Sequence, residues 1–201
     1  IQSVNDITIY DNLSSGKKEF IQQHFSKSNF VFIEEDLLDL KTLQKVLKGH
    51  ELVIHFAANP DVKLSIEKTD LDLQQETMVT YNLLESMRIN SVKKIVFSSS
   101  GTIYGETPII FLPENYGPLL PISLYGAGKL ASEALITAFS GTFGFQCWIF
   151  RFANIVGGRM THGVIYDFIH KLRRDPSELE ILGDGNQEKP YLFIDDCIEG
   201  M

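Results

Sequence analysis

The run Ile95–Val96–Phe97–Ser98–Ser99–Ser100–Gly101–Thr102–Ile103–Tyr104–Gly105 decides the fold. Three β-branched or aromatic residues pass directly into hydroxyls, without a charge between them. Such a run reads as a buried strand, Ile95–Ser98, that opens at its carboxyl end into a serine-rich turn. Amphipathic stretches flank it, Leu73–Ile89 before and Gly126–Phe139 after, and both read as helices. In the first, Met78, Tyr81, Leu84 and Met87 are taken as one apolar face.

Further out the same rhythm repeats. Ile7–Tyr10, Phe30–Ile33, Leu52–Phe56 and Cys147–Phe152 read as further buried strands, with a helix at Leu40–Leu47. Alternating strands and helices imply a parallel sheet covered on both faces, an α/β fold of the Rossmann-like, doubly wound kind. After Asn154 the rhythm changes. A helix around Val164–Leu172, an apolar stretch Leu179–Leu182, the turn Gly183–Asn186 and a strand Tyr191–Ile194 follow. The expected division is a dinucleotide-binding region, 1–154, and the start of a substrate-binding region, 155–201.

Composition limits the partners. The 201 residues are 44% hydrophobic and 22% charged, with a formal net charge of -8. That balance disfavours a nucleic-acid backbone or an anionic membrane surface as the main partner. No apolar run approaches the roughly 20 residues that span a bilayer. Cys147 and Cys197 lack metal-ligand spacing and read as two buried thiols of a reducing, cytoplasmic compartment; no metal site is expected.

In an open parallel sheet, ligands lie beyond the carboxyl ends of the strands, so the residues there carry the functional information. The first strand runs into Asp11–Asn12–Leu13–Ser14–Ser15–Gly16. A strand-end carboxylate can accept from both hydroxyls of an adenosine ribose and repels a 2′-phosphate, so Asp11 favours NAD over NADP. Asp at a strand end is also a common turn-former. The second strand ends in Glu35–Asp36–Leu37, a carboxylate and an apolar side chain suited to adenine. The third ends in His55–Phe56–Ala57–Ala58–Asn59, where small residues let a flat ligand lie against the backbone. His55 itself reads as a satisfied core histidine. A glycine-rich phosphate loop belongs after the very first strand of such a fold and is not in this sequence. That strand and loop are expected in a segment upstream of Ile1.

Tyr125 and Lys129 stand four residues apart, which puts a phenol and an ammonium on one helix face. A free phenol, with a pKa of about 10, is a poor base at neutral pH. A neighbouring cation stabilises its phenolate and lowers that value. Ser100, 25 residues before Tyr125 at a strand end, adds a hydroxyl that can orient the proton of the same substrate oxygen.

Taken together, D-N-L-S-S-G, H-F-A-A, S-S-S-G-T-I-Y-G, Y-G-A-G-K-L-A-S-E and R-F-A-N-I-V-G-G-R resemble the NAD-dependent epimerase/dehydratase branch of the extended short-chain dehydrogenases. The resemblance runs from Asp11 to Asp196 and is nearest to the UDP-glucose 4-epimerases. It implies Tyr125 as general base and acid, Lys129 as its electrostatic partner, and Ser100 as the hydroxyl beside the sugar oxygen. It further implies NAD contacts at Asp11, Asn12, Ser14, Gly16, Asp36, Leu37, Phe56, Ala57, Ala58, Ser98, Tyr125 and Lys129. Substrate contacts are implied at Ser100, Tyr125, Asn154 and Lys189, the last two toward the diphosphate of a nucleotide sugar. Arg159 and His162–Gly163 are further candidates for phosphate.

The implied reaction is inversion at C4 of a nucleotide sugar through a transient 4-keto intermediate. A decarboxylase, a reductase, a 4,6-dehydratase or a non-catalytic NAD-binding protein are the alternatives. The dehydratases carry an Asp-Glu pair just after the strand-end hydroxyl; here Gly101–Thr102–Ile103 follow Ser100 and the first carboxylate is Glu106. Two departures stand out. Gln75–Glu76–Thr77–Met78–Val79–Thr80 replaces an asparagine-rich N-x-x-G-T segment, and Lys189 stands where an arginine is common. Lysine is a point charge without the bidentate fork. A homodimer through Leu73–Ile89 and Gly126–Phe139 is also implied.

Overall fold

A computed structural model describes residues 5–60, 64–109 and 111–201. The chain divides into two units, Ile1–Arg151 and Phe152–Met201. In the first, β1 (Ile7–Asp11) pairs in parallel with β2 (Phe30–Glu34), Ile7 opposite Phe30 and Asp11 opposite Glu34. A second sheet has the order β3 (Leu52–His55), β4 (Lys94–Ser100), β5 (Gln146–Phe152), with β3 and β4 parallel. The expected strands are all present, and parallel pairing is observed in both sheets. The ladder is nevertheless interrupted: among the described residues no strand joins β1–β2 to β3–β4–β5.

The helices of this unit are α1 (Leu40–Val46), a short α2 (Leu64–Glu67), α3 (Val79–Ile89) and α4 (Leu124–Phe143). Asp39 caps α1 by accepting from the amides of Lys41 and Thr42, and Ser123 caps α4 by accepting from Gly126 N at 3.0 Å. Both satisfy amides that a helix start leaves without partners. Gly144 closes α4 in the left-handed conformation at φ 70°.

The core lies between β3–β4 and the two long helices, where Leu43, Leu84, Met87, Ile95, Phe97 and Ile136 are almost fully buried. The expectation for the first long helix needs correction. It opens with a π-helical turn, Leu73–Met78, before regular α-helix begins at Val79. Its buried stripe is Val79, Leu83, Leu84 and Met87, whereas Met78 and Tyr81 are exposed. A spacing of three falls short of a full turn, so after nine residues Met78 and Met87 are about half a turn apart. Cys197 is buried as expected, but Cys147 is only half-buried on β5; both thiols are free.

The second unit pairs β6 (Asn154–Val156) in parallel with β7 (Tyr191–Phe193), Asn154 opposite Tyr191. It adds α5 (Val164–Arg174) and α6 (Ile194–Gly200). β6 and α6 have no counterpart in the sequence reading, and Leu179–Leu182 forms no regular element. No helix among the described residues is long and apolar enough to cross a membrane.

Leu84 is 0% exposed and sits at the centre of the first unit's core. Leu84→Ala is expected to cost about 3 kcal/mol, the transfer term plus a cavity. A denaturant titration checks it, and a loss below about 1 kcal/mol would contradict this placement of the core.

Candidate active site

β4 delivers Ser98, Ser99 and Ser100 to its carboxyl end, and a 3₁₀ turn, Gly101–Tyr104, follows at once. Ser100 Oγ accepts from Thr102 N at 3.2 Å, capping that turn. With one lone pair so used, the hydroxyl proton is free to point at the phenol of Tyr125, to which Ser100 is hydrogen-bonded. Gly105 ends the turn at φ 67°. A Cβ there would lie 1.9 Å from the Leu120 carbonyl oxygen, so glycine is required both by conformation and by space.

α4 supplies Tyr125 and Lys129. It buries Gly126, Gly128, Lys129, Ser132, Glu133 and Ile136, two of them charged side chains. Lys129 is 2% exposed and donates to the Ser98 carbonyl at 2.9 Å. Its Nζ lies 5.0 Å from the Phe97 ring centroid and 5.7 Å from that of Tyr125. Ser100, Tyr125 and Lys129 are thus brought together, as the sequence leads one to expect. Ser98 joins them through its carbonyl, while its hydroxyl donates to the His55 carbonyl at 3.4 Å.

The electrostatics differ from the expectation. The Tyr125 phenol is pushed up, to about 12, chiefly by burial and then by the Glu76 and Asp72 carboxyls; the Ser100 hydrogen bond works the other way. Burial also pushes the Lys129 ammonium down, against the pull of Glu76 and Asp72. The cation does not by itself make this phenol acidic, because burial first, and then two buried carboxyls, push the other way. Neither carboxyl was singled out from the sequence as a site residue.

A buried polar chain backs the site. His55 Nε2 lies 2.9 Å from Thr80 Oγ1, Thr80 Oγ1 is 3.1 Å from Ser132 Oγ, and Ser132 donates to the Glu76 carbonyl at 3.2 Å. His55 is 3% exposed and so is a core histidine, pushed down to about 3 first by burial and then by Lys129. Asn59 donates to Ser65 Oγ and to Asp72 Oδ1 at 3.1 and 2.9 Å. Arg151 forms a two-pronged pair with Glu133, at 3.0 and 2.8 Å, and also donates to the Tyr104 hydroxyl and the Glu114 carbonyl. That clamp holds α4, the 3₁₀ turn and β5 in one register.

The ends of β1 and β2 gather most of the other candidates. Asn12 donates to Asp36 Oδ2 at 2.8 Å, and Ser14 N donates to Asn12 Oδ1 at 3.0 Å. Asp11 Oδ1 accepts from Leu13 N at 2.7 Å, an Asx turn, so the turn-forming reading of this residue holds in the structure. A Cβ on Gly16 would come within 3.0 Å of the same carboxylate, so the glycine leaves it room. Asp36 Oδ1 accepts from Leu38 N, and the half-buried Leu37 packs on the core. At the end of β3, Phe56 is 55% exposed and Ala57 is exposed beside it. Carboxylates able to accept from a ribose diol, followed by an open strand end of small residues, fit a dinucleotide.

Asn154 and Lys189 lie in the second unit. Asn154 starts β6 and donates to the Pro190 carbonyl at 3.0 Å, next in the chain to Lys189. Arg159 has a left-handed backbone at φ 67°, and Gly163 precedes α5. Arg159 lines an open hollow of about 480 Å³ with Val156, Tyr166, Ile169, Arg173 and Phe193. His162 lies within 3.2 Å of the Thr161 hydroxyl. Among the described residues no cluster suited to a metal ion is found.

The chain belongs to the NAD-dependent epimerase/dehydratase family, whose model matches residues 2–201. It is 35% identical to a putative UDP-glucose 4-epimerase of Methanocaldococcus jannaschii, over 98% of this chain and 64% of that protein. A solved UDP-galactose 4-epimerase superposes with a TM-score of 0.85 at 40% identity, covering 98% of this chain and 62% of that one. A dTDP-glucose 4,6-dehydratase double mutant from Streptomyces venezuelae, solved with NAD bound, gives 0.90 at 25% identity, covering 98% and 61%. The chain therefore spans about three-fifths of the length of these relatives.

Two tests follow from this geometry. Gly105→Ala is expected to destabilise the protein by about 3 kcal/mol, since it combines a forbidden backbone angle with a clash on backbone; chemical denaturation measures it, and an unchanged midpoint would refute the turn. His55, with a folded pKa below its unfolded value, adds stability present above pH 6.5 that is lost as pH falls toward 3. The expected result is a shallower loss of stability between pH 6.5 and 4 in His55→Leu than in the parent; parallel curves would contradict it.

Proposed function

We propose that the protein interconverts nucleotide sugars at C4, as an NAD-dependent epimerase acting on a UDP-glucose/UDP-galactose type of substrate. The observation that carries this reading is the set Ser100–Tyr125–Lys129 at the end of β4, followed by Gly101–Thr102–Ile103 with no carboxylate beside the serine. Elimination of water across C5 and C6 needs an added acid and base at that place; inversion at C4 does not. Glu133, the nearest buried acid on α4 beyond Lys129, is held by Arg151 and is not available for such a step.

In this reading Asp11, Asn12, Ser14, Gly16, Asp36 and Leu37 hold the adenosine end of NAD, and Phe56, Ala57, Ala58 and Ser98 line its path toward Tyr125 and Lys129. Bound there, NAD would supply a reversible two-electron acceptor for the oxidation at C4. The chain's own residues manage the proton. Tyr125 Oη takes it from the C4 hydroxyl as the carbon is oxidised, and returns it to the ketone oxygen once the sugar has presented its other face. Ser100 Oγ, its own lone pair held by Thr102 N, donates to the oxygen that carries the charge. Lys129 stays protonated and fixed on the Ser98 carbonyl, offsetting the negative charge wherever it resides. Asn154 and Lys189 are assigned to the substrate diphosphate. The region 155–201 is proposed as the start of a substrate-binding region, and α3 and α4 as the helices through which two copies pair.

Incubating the full-length protein with NAD and UDP-galactose is expected to yield UDP-glucose. Tyr125→Phe should lower kcat by about 10²–10⁴-fold, the usual worth of a positioned acid/base. NAD binding without turnover, or equal rates for parent and variant, would refute the reading.

A further inference from the structure

Glu76 lies in the π-helical turn Leu73–Met78 and is 2% exposed. Both its carboxyl oxygens are buried without a hydrogen-bond partner among the described residues, and so is Asp72 Oδ2 one turn before. Buried polar atoms are nearly always satisfied, so three unpaired carboxyl oxygens in adjacent turns require an explanation. Packing seats the side chain firmly. A Cβ on Gly128 of α4 would fall 2.3 Å from Glu76 Oε2 and 3.2 Å from Glu76 Cβ, so the carboxyl fills the recess that this glycine leaves. Ser132, on the same helix, donates to the Glu76 carbonyl and anchors the backbone. The residue next to Gly128 is Lys129. The recess thus presents a carboxyl to the helix turn that carries the site's cation.

We propose that Glu76 is a positioning residue of the Tyr125–Lys129 site: its carboxyl, seated against Gly128, sets the charge around the ammonium and so governs when the phenol ionises. The proposal rests on Tyr125 as the acid/base of the proposed function and adds the group that tunes it. The titratable and charged groups facing Glu76 are few. Asp72 comes from its own turn, Tyr125 and Lys129 from α4, and His55, from β3, lies behind Thr80 and is neutral. Glu133, one turn beyond Lys129, is engaged by Arg151. Among the described residues these carboxyls form no cluster suited to a metal ion.

Burial pushes the Glu76 carboxyl up to about 8, with Lys129 opposing and Asp72 reinforcing. The sign follows directly. A neutral carboxyl leaves the ammonium's field on the phenol unopposed, whereas a carboxylate repels the phenolate and holds the phenol protonated.

The test uses the full-length protein and reads Tyr125 directly, as the rise in tyrosinate absorbance with pH minus that of the Tyr125→Phe variant. Glu76→Gln, which keeps size and removes charge, is expected to move the Tyr125 ionisation about one pH unit lower, a tenfold gain in phenolate at a given pH. An unmoved or raised midpoint overturns the proposal, because a purely packing role for Glu76 alters stability and not this titration. Should Glu76→Gln fail to fold, infrared spectra of the unsubstituted protein with isotope-labelled glutamate decide the matter. A protonated-carboxyl band present at pH 6 and lost through pH 8 supports the proposal, and its absence at pH 6 overturns it. A shifted Tyr125 titration without turnover of UDP-galactose would leave this inference standing and remove the epimerase reading; turnover with an unmoved titration would do the reverse.

Discussion

An ammonium kept out of water is the constraint on which the rest of the first unit depends. The effective penalty for burying a charge is several kcal/mol even after relaxation. Lys129, at 2% exposure, meets it with contributions from three elements. β4 gives the Ser98 carbonyl and the Phe97 ring, α4 gives the Tyr125 ring, and the segment Asp72–Met78 adds Asp72 and, when it is ionised, Glu76. The mutual placement of β4, α4 and the π-helical turn is therefore fixed by the same group that the chemistry requires. Gly126 and Gly128 serve that placement: added Cβ atoms would meet the Thr102 carbonyl and the Glu76 carboxyl.

A second charged pair on α4 shows the contrast. Arg151 and Glu133 satisfy each other twice, and the Tyr104 hydroxyl and Glu114 carbonyl take up further donors of the guanidinium. The pair raises the Arg151 pKa, chiefly through the Glu133 hydrogen bonds, and its role is structural. In the neighbouring segment Asp72–Met78, both Glu76 carboxyl oxygens and Asp72 Oδ2 have no hydrogen-bond partner among the described residues. A fold that completes one network and leaves its neighbour unfinished has traded stability for a tunable charge, as functional sites commonly do.

Much of this was legible in the sequence, and the boundary of legibility has physical causes. Strands such as Ile95–Ser98 and Phe30–Ile33 announce themselves as short unbroken runs of β-branched and aromatic residues, although Val31 is exposed in the structure. Tyr125 and Lys129 are legible because helical geometry ties spacing to direction. Glu76 was not, since a glutamate amid Gln75 and Thr77 reads as a solvated face; only the fold reveals that Gly128 makes room for it. Met78 and Tyr81 were misplaced because the wider turn before Val79 and the drift of a three-residue spacing both rotate them outward. Asp11 carried two meanings. The Asx turn it forms is the bland one, and that turn also fixes the carboxylate beside Gly16 at the strand end. The Arg151–Glu133 clamp, 18 residues apart with a third member 47 away, has no local signature in any window.

The opposition between cation and carboxyls changes what the tyrosine–lysine spacing means. Four residues of helix guarantee proximity, and proximity to an ammonium ordinarily favours the phenolate. Here the phenol rises from 10.0 to about 12, which corresponds to about 3 kcal/mol against the phenolate. Burial, the largest cause, is the same exclusion of water that strengthens every charge in the site. Glu76 comes next, and unlike burial its effect disappears when it takes up a proton. Of the influences acting on Tyr125, then, burial and the Ser100 hydrogen bond are fixed by the fold, whereas Glu76 is adjustable. Burial sets the basicity of this site and the charge on Glu76 adjusts it, while the spacing visible in the sequence supplies only the place where both take effect.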